Sequence, residues 1–87
     1  MPSSLRLEKP ASKFIEKIKD KTLARRLLGK IEKLKENPFP SDAVRVEEYK
    51  EDKVFRVRAG DYRILYYVDA SQALIVIIRI DKRSRAY

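Results

Sequence analysis

Arginines recur in the C-terminal half of the chain at spacings that an extended strand would bring to one side. Arg56 and Arg58 stand two apart in Val54-Phe55-Arg56-Val57-Arg58-Ala59, Arg63 follows Gly60-Asp61-Tyr62, and Arg83 precedes a final Tyr87. A guanidinium is planar, permanently charged and able to grip a phosphate through two parallel N–H donors, so a group of them suits a polyanion. Strict alternation sends Phe55, Val57 and Ala59 to one face and Val54, Arg56 and Arg58 to the other, which makes the two guanidiniums neighbours. On these residues alone a plainer reading stays open, that of a solvated strand face. Arg63 could equally pair with Asp61 or Asp69, and Tyr87 could be a frayed terminal residue.

The charge balance favours the anion-binding reading. The 87 residues include 21 Lys and Arg against 13 Asp and Glu, a formal charge of +8, and eight basic against three acidic residues fall from Lys53 onward. Such an excess suits RNA, DNA or an acidic protein as partner. The chain has no Cys and no His, which removes disulfides and the usual transition-metal ligands, so chemistry without metal or cofactor is expected. No apolar stretch approaches the ~20 residues that span a bilayer, and the N-terminus lacks the apolar run of a signal peptide. A cytoplasmic protein that makes no use of a membrane is expected.

At this length there is room for a single domain, residues 1–87. A short strand is expected over residues 3–8, before Pro10 interrupts any ladder. Ser12 is a plausible cap for a first helix carrying Phe14, Ile15 and Ile18, and Asp20 or Thr22 restarts the chain. Leu23, Leu27, Leu28, Ile31 and Leu34 then recur at helical steps until Asn37-Pro38 stops them. From Val44 onward the period becomes alternating, with strands expected at Val44 and Val46, Lys53 to Ala59, Tyr62 to Asp69 and Ala73 to Ile80. Gly60 can take a positive φ at the turn between two of them. The expected fold is α+β: a short N-terminal strand and a two-helix hairpin packed on one face of a small, largely antiparallel sheet of four to five strands. The other face stays partly open for a basic site.

Phe55-Arg56-Val57-Arg58-Ala59-Gly60-Asp61-Tyr62-Arg63-Ile64-Leu65-Tyr66, followed by Arg79-Ile80-Asp81-Lys82-Arg83-Ser84-Arg85-Ala86-Tyr87, resembles the RelE/ParE toxin superfamily in the order and spacing of its Arg-x-Arg, Gly-Asp-Tyr-Arg and Arg-x-x-x-Tyr elements. The resemblance extends over nearly the whole chain and points to a RelE-type toxin of a type II toxin–antitoxin pair, one that cleaves messenger RNA, often on the translating ribosome. It implies that Arg56, Arg58, Arg63, Arg83 and Tyr87 line the active site; the nearby cations Lys53, Lys82 and Arg85 are expected to help hold RNA. It also implies a cognate antitoxin that applies an acidic or amphipathic segment. Two departures stand out: the pair on the sheet strand is often lysine in the family, and a histidine commonly precedes the C-terminal arginine where this chain has Lys82.

Cleavage of RNA without a metal uses the 2′-OH as nucleophile, and needs a base, stabilisation of added negative charge and a proton for the departing 5′-oxygen. Arginine suits the second task and is a poor base. Tyr87 is the candidate base, because clustered guanidiniums favour its phenolate, and Lys82 is the reserve general acid. Tyr62 and Tyr66 are expected to pack rather than stack on bases, and Arg25, Arg26, Lys30 and Lys33 to form a solvated helix face. Two rival functions share the fold or the charge: a ParE-like inhibitor that binds DNA gyrase and cuts nothing, and an RNA-binding module without turnover.

Overall fold

A computed structural model describes residues 4–46 and 53–82. In chain order these form β1 (Ser4–Leu7), α1 (Lys9–Lys17), α2 (Lys21–Glu36), β2 (Val44–Arg45), β3 (Phe55–Ala59), β4 (Tyr62–Asp69), a 3-10 turn (Ala70–Gln72) and β5 (Leu74–Lys82). The strands make one five-stranded sheet in the spatial order β1-β5-β4-β3-β2. β1 runs parallel to β5, and the other three pairings are antiparallel. The α+β architecture expected from the sequence is present, with both helices on one face of the sheet.

Periodicity explains why the helices lie there. Leu27, Ile31 and Leu34 recur at four and three residues along α2, so they share one stripe, and all three are buried. Ala11 of α1 joins them, with Phe14, Ile15 and Ile18 packed alongside. The sheet answers with Val57 and Ala59 from β3, Ile64 and Tyr66 from β4, and Ile75, Ile77 and Ile80 from β5. No helix among the described residues is long and apolar enough to cross a membrane.

The helix ends resolve two points left open by the sequence. Asp20 caps α2, its Oδ1 accepting from the backbone N–H of Thr22 at 2.9 Å and of Leu23 at 3.2 Å. Asp20→Ala orphans both donors, and a loss of about 0.5–2 kcal/mol is expected in urea denaturation. The first helix starts earlier than expected: Glu8 occupies the N-cap position, and Pro10 sits in the first turn instead of ahead of the helix. Proline's fixed φ and missing N–H are tolerated there, since that N–H has no partner inside the helix anyway. Ser12 is therefore already helical, and its hydroxyl donates to Glu16 at 3.3 Å instead of capping. Glu8 also ties the helix start to the sheet, its backbone N–H donating to the carbonyl of Ile77 at 2.8 Å.

The register between β4 and β5 contains one irregularity. Leu65 pairs with Arg79 and Tyr66 with Ile77, so Ile78 is an extra residue on β5. Such a bulge resets alternation on the longer strand. Before it, Ile75 and Ile77 face the helices; after it, Ile80 does so, three residues from Ile77.

Candidate nucleic-acid interface

The face of the sheet away from the helices carries the residues of opposite parity. Val57 and Ala59 belong to the helix-side core while Val54 packs with Val46 and Leu65 in a separate small cluster, so Arg56 and Arg58 share the far face with Val54. On β4 the same alternation puts Ile64, Tyr66 and Val68 toward the helices and Arg63, Leu65 and Tyr67 on the far face. The division expected for Phe55 to Ala59 therefore holds.

Register converts these parities into two rows across the strands. Arg58 on β3 stands directly opposite Arg63 on β4, which stands opposite Asp81 on β5. In the next row Val44 on β2, Arg56, Leu65 and Arg79 follow one another. Directly opposed residues on antiparallel strands have Cβ atoms roughly 4.5–5.5 Å apart, so the Arg58 and Arg63 stems are immediate neighbours. Arg58 and Arg79 are exposed, and Arg56 and Arg63 are half-buried. Beyond the arginines, Val46, Val54 and Leu65, with Tyr67 and Ile78 against them, make an apolar floor.

The loop between α2 and β2 braces this arrangement from the edge. Tyr66 is fully buried, and its hydroxyl donates to the carbonyl of Pro38 at 2.6 Å. Phe39 packs edge-on against Phe55, with ring centroids 5.1 Å apart. Lys30, expected as part of a solvated helix face, reaches Asp42 at 3.2 Å. Burial alone would raise the Asp42 pKa, but Lys30 and the backbone N–H groups of Asp42 and Arg58 outweigh it and hold the carboxyl below its ordinary value. Lys30 thus holds Asp42 at the edge of the sheet beside β3.

Burial, with a smaller contribution from the charge of Asp42, pushes the Tyr66 phenol up to about 12. A folded pKa above the unfolded value contributes stability that is complete below pH ~10 and is lost as pH rises toward 12. Tyr66→Phe is expected to cost about 0.5–1.5 kcal/mol at neutral pH through the lost hydrogen bond. The gap between the two proteins should then narrow from pH 10 to 12 in denaturation curves; a constant gap would contradict the assignment.

The structure brings Arg56, Arg58 and Arg63 to one face, as the sequence expects. Arg83, Arg85 and Tyr87 lie outside the described residues. Lys53 is exposed just ahead of β3, at the end of that strand remote from the Arg58 and Arg63 pair. Lys82 pairs with Tyr62, whose ring packs edge-on against Phe14 of α1 at 5.7 Å, so alternation places Lys82 on the helix side of the sheet. Tyr62 and Tyr66 are packing residues, as expected from the sequence. Arg79 was not legible as a member of the face. Continued alternation from Ile75 and Ile77 would send it toward the helices, and only the bulge at Ile78 turns it outward. The three-residue step from Ile77 to Ile80 is the signal that could have revealed it.

Comparison with known proteins identifies the family and the fold. A family model described as the ParE toxin of the type II toxin–antitoxin system parDE matches residues 5–87. A candidate toxin named RelE1 from Methanocaldococcus jannaschii is 40% identical over 58 residues, 66% of this chain, and the match spans 64% of that relative's length. Among solved structures, a chain of the archaeal RelE–RelB complex from Pyrococcus horikoshii superposes with a TM-score of 0.81 at 28% identity, covering 99% of this chain and 100% of that one. A chain of the RelBE2 toxin–antitoxin complex from Mycobacterium tuberculosis shares the fold, with a TM-score of 0.77 at 23% identity over 95% of this chain and 100% of that one. Matched along almost its entire length, the chain belongs to the ParE toxin family of type II toxin–antitoxin systems, within the RelE/ParE superfamily.

Proposed function

We propose that this toxin is a ribonuclease that cleaves messenger RNA, at the ribosome, by attack of a 2′-OH on the adjacent phosphate, with no metal in the reaction. The observation that carries the reading is the direct opposition of Arg58 and Arg63. Two guanidiniums whose stems stand side by side can turn their N–H donors to one phosphate, and a phosphate between them offsets their mutual repulsion.

In this reading Arg56, Arg58 and Arg63 hold the phosphate and take up the charge that grows on its oxygens as the 2′-oxygen bonds to phosphorus. The 2′ proton leaves to Tyr87, the bond from phosphorus to the 5′-oxygen breaks, and that oxygen takes a proton from RNA of the ribosome, since Lys82 lies on the helix side of the sheet. The products are a 2′,3′-cyclic phosphate and a 5′-hydroxyl. The residue roles of Arg83 and Tyr87 rest on the family resemblance. Lys53 and Arg85 add attraction for parts of the strand farther from the reacting phosphate. A cognate antitoxin, with an acidic or amphipathic segment, would silence the site by covering this face; related toxins have been solved in complex with RelB.

The ParE name of the matching family model favours one rival, an inhibitor that binds gyrase. Mapping cut sites on a message in a translation extract, beside a supercoiling assay with gyrase, separates the two. New message ends that depend on the toxin support the ribonuclease; intact message with arrested gyrase overturns it.

A further inference from the structure

Arg79 and Asp81 form an ion pair on the same face, next to the residues already assigned. The Asp81 Oδ1 accepts from Arg79 Nε at 3.1 Å and from Nη2 at 3.0 Å, and Oδ2 lies 2.9 Å from Nε. Both side chains are partly exposed. Exposed pairs of this kind contribute little to stability, so the fold gives no strong reason for it. Its geometry does something else: contacts to two nitrogens of one planar group fix the plane of that group.

Three further observations place the pair in the site. The bulge at Ile78 is what turns Arg79 to the open face, and bulges characteristically re-aim side chains beside functional sites. Arg79 stands in one row with Arg56, across Leu65. Asp81 stands opposite Arg63 in the row of Arg58. A carboxylate there weakens the attraction for phosphate, a cost that makes sense if it orients a guanidinium.

We propose that Arg79 is a further phosphate-binding residue, contacting the RNA strand at a phosphate next to the one held by Arg58 and Arg63, and that Asp81 is its positioning residue. The assignment builds on the ribonuclease reading. It commits Arg79 to binding along the backbone and Asp81 to geometry alone, and the two variants accordingly differ in kind.

Binding is read by fluorescence anisotropy with a short single-stranded RNA whose 2′ positions are all methylated, which blocks attack by the 2′-oxygen, over a series of salt concentrations. Arg79→Ala is expected to weaken binding and to lower the slope of log K against log salt by about 0.7, one phosphate contact. Arg79→Gln serves as the second variant, and thermal melts confirm that each folds. Asp81→Asn is expected to bind at least as tightly as the parent while the cleavage rate on unmodified message bound to ribosomes falls about 10-fold to 100-fold. An unchanged salt slope in both Arg79 variants overturns the binding assignment while leaving the ribonuclease reading intact. An Asp81→Asn protein with an undiminished cleavage rate overturns the positioning role. A parent protein that cuts no message on ribosomes, while Arg79→Ala lowers the salt slope by about 0.7, supports Arg79 as an anion contact and refutes the ribonuclease reading alone.

Discussion

Replacing Arg58 by alanine is expected to slow RNA cleavage by about 10²–10³-fold, the usual cost of removing one donor from a preorganised anion site. Arg58 is exposed on the open face and directly opposed to Arg63, so its guanidinium is free to meet an anion beside it. Stability should move the other way. Removing one of two opposed like charges is expected to leave the fold unchanged or more stable by up to about 1 kcal/mol. Arg58→Lys keeps the charge and loses the bidentate fork, so partial activity is expected. Single-turnover cleavage and urea denaturation on the same preparations read both quantities. Cleavage at the parental rate, or a loss of activity that tracks a loss of fold, would contradict the assignment.

The largest expected effect on stability comes from Ile77→Ala. Ile77 is fully buried, pairs with Leu7 on β1 and Tyr66 on β4, and its carbonyl receives the Glu8 N–H that anchors α1. Truncating such a side chain typically costs about 2–5 kcal/mol, set against a total of roughly 5–15 kcal/mol for a domain. The next residue is the bulge, so the same change loosens the strand that aims Arg79 and Asp81. Denaturation with urea should show the loss directly. RNA cleavage should fall with the folded fraction on warming, with much of it recovered in the cold. A loss below about 1 kcal/mol would mean that β5 does not anchor the sheet.

Much of the scaffold was legible because its signals are local. The helical steps of Leu27, Ile31 and Leu34, the stop at Asn37-Pro38 and the alternation through Arg56 and Arg58 each depend on a few adjacent residues. Gly60, with φ of +63°, turns the chain between β3 and β4 where a positive φ was expected. Pro10 was ambiguous for a physical reason: the missing N–H that ends a strand ladder also suits the first turn of a helix. The bulge was hidden because alternation along one strand does not reveal the register of its neighbour. Arg79 was missed on that account alone. Arg58 and Arg63 could be assigned to one face by parity, but their direct opposition appears only once β3 and β4 are paired. The assignment of Arg83 and Tyr87 rests on the family resemblance alone, since no local period ties them to the sheet arginines.

The chemistry of the cut ends tests the central claim most directly. A short RNA of defined sequence, incubated in a translation extract with the toxin, can be recovered and its fragments weighed by mass spectrometry. Attack by the 2′-OH predicts a 2′,3′-cyclic phosphate, or the 3′-phosphate that follows its hydrolysis, on one fragment and a 5′-hydroxyl on the other, with Arg58→Ala yielding little of either. Fragments bearing 5′-phosphates, or RNA that stays whole while the toxin is present, would contradict the account.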